Sequence, residues 1–90
     1  MVERMSDLSK PELSSKARLR FDEVRQTDLL LLPERVVKLN RSAAAVLALC
    51  DGQRTIREIV LELETRYKRA GLLDEVMEFI HQAFDQRWIV

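Results

Sequence analysis

Acid–base, nucleophilic and metal chemistry all need several convergent groups, and this sequence offers few. It holds one cysteine, Cys50, and one histidine, His81. A thiolate–imidazole pair is the one nucleophilic arrangement these two could form. Cys50, however, lies at i+7 from Ala43, on a stripe with Val46 and Leu47, where a cysteine acts as a small hydrophobe. His81 stands next to Gln82 and three residues after Glu78, a setting for a solvated imidazole. A zinc site takes about four ligands at characteristic spacing, and two isolated candidates do not supply it. The carboxylates are interleaved with basic residues at helical spacing, as on a charged solvent face. Gly52 and Gly71 are the only glycines, each placed to end a helix, so no glycine-rich phosphate loop is available. The expected catalytic, cofactor-binding and metal-binding sets are empty, and a binding role is expected instead of an enzymatic one.

The elements that could position a binding surface follow from periodicity. Met1 to Lys16 is polar and aperiodic, and reads as a tail that is disordered unless it docks, with the recognition domain spanning residues 17–90. Arg18 to Phe21 alternates polar and apolar residues with the period of a half-buried strand. Asp22 to Asp28 suits a turn. Leu29 to Leu32 is a short apolar run that fits a central strand, and Pro33-Glu34 stops it. Arg35 to Leu39 reads as a third strand, with Val37 and Leu39 on one face and Val36 and Lys38 on the other. Asn40 or Ser42 can cap a first helix, with Gly52 supplying its left-handed end. Thr55 and Glu58 form a capping box ahead of the stripe Ile56, Ile59, Val60, Leu63 and Tyr67. Gly71 closes that second helix. Asp74 caps a third, which carries Val76, Met77, Phe79, Ile80, Ala83 and Phe84, and Trp88-Ile89-Val90 packs back onto the domain. The expected fold is α+β: a three-stranded antiparallel meander followed by three helices, similar to a winged helix.

Bulk properties narrow the partners. The 90 residues are 47% hydrophobic and 33% charged, and 15 Lys plus Arg balance 15 Asp plus Glu. A zero net charge gives no long-range attraction to nucleic acid or anionic lipid. No apolar run approaches the ~20 residues of a membrane span, and no signal-peptide h-region is visible, so the expected compartment is the cytoplasm. A helix-turn-helix-like spacing is present, which keeps a small winged-helix DNA-binding module as an alternative. Its reading helix would carry Asp74, Glu75, Glu78 and Asp85, which repel phosphates.

Two features bear on protein recognition, although Arg35 and Lys38 would equally keep an open edge soluble and a small protein would equally bury a broad apolar helix face in its only core. The third strand of a meander has an open edge, a template for an added strand from another chain. The third helix carries apolar residues well round its cylinder, more than a single buried stripe needs. The open edge pairing with itself, as a homodimer or scaffold contact, is a further alternative.

The run Arg18-Leu19-Arg20-Phe21-Asp22, then Leu31-Leu32-Pro33-Glu34-Arg35, Leu39-Asn40 with Ser42-Ala43-Ala44-Ala45, and Cys50-Asp51-Gly52 with Thr55-Ile56 and Glu58-Ile59 resembles the PqqD family of pyrroloquinoline quinone biosynthesis. The likeness runs from about Pro11 to the C-terminus. It implies a peptide chaperone that binds the ribosomal precursor peptide PqqA and presents it to the radical SAM enzyme PqqE. Related leader-recognition domains serve other peptide pathways. In that family the leader lies beside the third strand, against the third helix. Carried over, this implies a peptide site of Arg35, Val36, Val37, Lys38 and Leu39, with Val76, Phe79, Ile80 and Ala83 walling the groove.

Overall fold

A polar–apolar alternation, then a run of leucines, then a second alternation build the sheet. The computed structural model describes residues 5–90, so the part of the expected tail from Met1 to Arg4 lies outside the described residues. Strand β1 spans Arg18–Asp22, β2 Thr27–Leu31 and β3 Val36–Leu39, in the order β1-β2-β3 with both pairings antiparallel. The first turn is tighter than expected. Asp22 Oδ1 accepts from the Val24 and Arg25 backbone N–H groups, and Gln26 takes a left-handed conformation, so the strands run closer to the turn. Leu19, Leu30 and Val37 face each other across the three strands, and Leu30 is fully buried. That row turns the sheet's apolar face to the helices.

Three helices follow: α1 Arg41–Ala48, α2 Ile56–Tyr67 and α3 Leu73–Asp85. Asn40, not Ser42, caps α1, accepting from the Ala43 backbone N–H at 2.7 Å. Thr55 and Glu58 form the capping box of α2, worth about 1 kcal/mol for the Thr55 oxygen alone. The helix ends depart from the expected signals. Gly52 does have φ of 77°, but α1 ends at Ala48, before it. The glycine instead serves the left-handed turn at residues 50–52, where any side chain would be strained by that φ and would also crowd the Glu12 side chain. Lys68 supplies the left-handed end of α2, three residues before Gly71. Asp74 lies inside the first turn of α3, where with Glu75 it faces the positive helix end, and Leu72 occupies the cap position without a side-chain bond. The Leu72 N–H is taken up by Glu64 Oε2 at 3.0 Å.

The core joins all six elements, with Leu30, Leu47, Ile56, Ile59, Ile80 and Ile89 fully buried. Cys50 also belongs to it, just beyond the end of α1, its thiol 3.3 Å from the Val46 carbonyl oxygen. The segment preceding β1 docks. Ile56 and Arg57 donate their backbone N–H groups to the Ser9 and Asp7 carbonyls, satisfying the start of α2. Glu12 and Val90 exchange backbone bonds at 3.1 and 2.8 Å, Leu13 pairs with Ile89, and Pro11 is fully buried. The expected return of Trp88-Ile89-Val90 onto the domain takes this form, as an edge contact with the N-terminal segment.

Candidate peptide-binding groove

The direction of each β3 amide is fixed at the hairpin. Leu32 donates its backbone N–H to the Arg35 carbonyl at 2.9 Å, and the two residues stand opposite each other in the β2–β3 register. Antiparallel ladders alternate between bonded and non-bonded pairs. Arg35, Val37 and Leu39 therefore turn their main-chain groups to β2. Val36 and Lys38 turn theirs outwards. The docked N-terminal segment meets α2, the 50–52 turn and the C-terminus, so among the described residues nothing of this chain covers that edge.

Beside the edge lies a groove of about 750 Å³. Val37 and Leu39 form its strand side, Val76 and Phe79 its α3 side, and Trp88 its end. The groove exists because α3 packs on α2, while α1 is the helix that contacts the strands. Arg35 lies outside the lining but reaches one of its residues, its guanidinium donating to Gln86 Oε1 at 3.2 Å. The rim carries both charges, with Arg69 against Glu75 and Asp85.

The residues expected at the site divide three ways. Val37, Leu39, Val76 and Phe79 line the groove, and Lys38 borders it while its side chain turns to the far face with Val36. Arg35 and Val36 do not line it: Arg35 bonds Gln86, and the Val36 side chain stands 58% exposed on the far face of the sheet, leaving its outward backbone as its contribution to the edge. Ile80 and Ala83 are corrected to core positions, each with no exposed surface, because the inward side of α3 runs through Val76, Ile80 and Ala83. Sequence reasoning missed Trp88, Tyr67 and Gln82 as lining residues. The Trp88 indole Nε1 is buried without a hydrogen-bond partner, which is costly for a ring that normally keeps one. A tryptophan placed just after an apolar helix was the available signal.

The groups considered for chemistry are held otherwise. Burial, with the neighbouring Asp51 carboxylate second, pushes the Cys50 thiol up to about 12, so the thiolate is disfavoured. His81 Nε2 sits 3.1 Å from the Met5 carbonyl oxygen and is half-buried, where a solvated imidazole was expected. Among the described residues no group of three or more His, Cys, Asp or Glu side chains could hold a metal ion. No helix among them is long and apolar enough to cross a membrane.

Residues 29–89 match the family model of coenzyme PQQ synthesis protein D (PqqD). A PqqA binding protein of Methylococcus capsulatus is 40% identical over 78 residues, covering 87% of this chain and 84% of its own. A PqqA binding protein of Rahnella aquatilis is 42% identical over 73 residues, with 80% and 77% covered. The solution structure of the PqqD portion of Methylobacterium extorquens PqqCD, described as a functional, stand-alone RiPP recognition element, superimposes with a TM-score of 0.81 at 34% identity, covering 96% of this chain and 94% of that one. The open β3 edge, the groove beside α3 and these likenesses together place the chain in the PqqD family.

Proposed function

We propose that this chain is a recognition domain for the precursor peptide PqqA, taking it up by strand addition along β3 and presenting it to the radical SAM enzyme PqqE, without catalysis of its own. The observation that carries the reading is the pairing of the outward main-chain groups of Val36 and Lys38 with the apolar groove of Val37, Phe79 and Trp88. Backbone bonds hold an added strand in register at roughly 0.5–1.5 kcal/mol each, and the groove takes the apolar side chains that choose the peptide. The unpartnered Trp88 Nε1 is available to a peptide acceptor once the ring shifts. Relatives named for PqqA binding support the choice of peptide. Helix α3, with four carboxylates and no Lys or Arg, argues against the winged-helix DNA-binding alternative.

Amide chemical-shift mapping with PqqA tests this. The largest changes are expected at Val36, Lys38 and Phe79 and at the Trp88 indole N–H. Changes confined to β1 and the Thr55–Leu61 end of α2 would exclude it.

A further inference from the structure

The strand register creates a second surface that the proposed peptide site leaves free. Leu19, Leu30 and Val37 face the core, so Arg18, Arg20, Leu29, Leu31, Val36 and Lys38 share the opposite face. Leu31 stands between Arg18 and Val36, and Leu29 between Arg20 and Lys38. Neither Leu29 nor Leu31 packs on the core. The result is an apolar strip along β2 and β3 with cations on both flanks. Among the described residues Arg18, Arg20 and Lys38 make no ion pair. Asp22 is the one carboxylate on these strands with the same orientation, and its Oδ1 is engaged by the Val24 and Arg25 amides. In a chain of zero formal net charge, that gathers positive charge around an apolar strip in which Val36 is exposed and Leu29 and Leu31 are half-buried.

The face is also continuous with the peptide site. A strand added to β3 would send every second side chain to this same side, widening the face to four strands. A partner seated here touches the domain and its cargo together.

We propose that the outer face of the sheet docks a second protein, the one that modifies the bound peptide, through a surface of carboxylates around an apolar ridge. This rests on the reading of the chain as a PqqA recognition domain. The basic flanks steer and orient the encounter, and the Leu29–Leu31–Val36 strip supplies the dry contact. The side chains of a peptide on β3 complete the face, so the loaded domain binds more tightly than the empty one.

The test uses the full chain, synthetic PqqA and purified PqqE as the probe, with peptide affinity and enzyme affinity measured separately by calorimetry. The variants are R18E/R20E and, as a charge-preserving control, R18K/R20K. All four substitutions lie on the exposed face of β1, and melting curves verify the fold. R18E/R20E is expected to keep peptide affinity within about 2-fold, lose at least about 10-fold in affinity of the loaded domain for the enzyme, and flatten its salt dependence. R18K/R20K retains enzyme binding. Equal enzyme affinity for R18E/R20E and wild type overturns the proposal. So does failure of the loaded wild type to bind the enzyme, or binding of this face to phosphatidylserine vesicles alone. Failure of the wild type to bind PqqA would instead overturn the function on which the proposal rests.

Discussion

Leu32 donates its backbone N–H to the Arg35 carbonyl at 2.9 Å, and that bond decides which amides of β3 are free. The alternation it starts leaves Val36 and Lys38 facing out, with Val37 committed to β2. Proline removes one donor, so it separates the two sets. Val36→Pro is expected to leave the domain folded, as edge positions with an outward N–H tolerate proline. It should weaken PqqA binding by roughly 2- to 10-fold, the worth of one backbone bond. Val37→Pro removes a donor from the ladder itself and orphans its acceptor on β2, which should cost roughly 1–3 kcal/mol of stability. Titration by fluorescence anisotropy beside urea unfolding checks both. Equal peptide affinity for Val36→Pro and wild type would argue against strand addition at this edge.

Phe79 and Ile80 are neighbours in sequence with opposite surroundings. Phe79 is half-buried and lines the groove, while Ile80 is fully buried in the core. Phe79→Ala is expected to lower peptide affinity by about 10-fold or more at modest cost in stability, as for a truncated aromatic anchor. Ile80→Ala should cost about 2–5 kcal/mol of stability, and its folded fraction should bind peptide normally. Affinity measured below each variant's melting transition separates the two roles. A loss of affinity for Ile80→Ala as large as for Phe79→Ala would place Ile80 in the site after all.

These two cases show which parts of the site the residues could reveal. The three strands, the three helices and their order follow from periodicities that each segment carries locally, and the Thr55–Glu58 box marks the start of α2 without tertiary help. Helix ends are less legible, because Lys68 adopts a left-handed conformation that its side chain does not advertise. The groove is a tertiary product. Apolar excess on α3 shows that part of the helix meets something other than solvent, but not that Ile80 and Ala83 point inwards while Phe79 points to the groove. Trp88 could be assigned to the groove only once the C-terminus had a place beside α3.

The capping box makes stability at the start of α2 depend on pH. The Thr55 backbone N–H, and after it the Thr55 hydroxyl, hold the Glu58 carboxyl below its ordinary 4.5. The backbone N–H of Gln53 foremost lowers Asp51 in the same way from 3.8. A depressed carboxylate stabilises the fold fully above its unfolded value, and that stabilisation is lost as pH falls through the folded value. The affected window therefore opens below about pH 4.5 and extends downwards, with neutral pH outside it. Glu58→Gln keeps a cap to the Thr55 N–H and removes the titration. Its melting temperature should fall less steeply than that of wild type between about pH 5 and pH 3. Parallel curves in that interval would remove Glu58 from the account.

The segment before β1 looks expendable by composition, yet the backbone bonds it makes distinguish it from a passive tail. Seven main-chain hydrogen bonds join residues 7–14 to the 50–52 turn, the start of α2 and the C-terminus. At roughly 0.5–1.5 kcal/mol net each, they amount to about 4–10 kcal/mol before the burial of Pro11 is counted. That is comparable with the whole stability of a small domain, about 5–15 kcal/mol. A chain beginning at Lys16 is therefore expected to lose its cooperative melting transition. Asp7→Ala is a control in the same segment. Its carboxylate meets the Arg57 guanidinium at 2.7 Å, but the Arg57 side chain is 64% exposed, so the loss should stay within about 1 kcal/mol. Circular dichroism melts of the two variants decide the point. A truncated chain that unfolds cooperatively near the wild-type temperature would show that the folded unit closes without this segment, and that the bonds it makes to Val90 and Arg57 are ornaments on a core complete by itself.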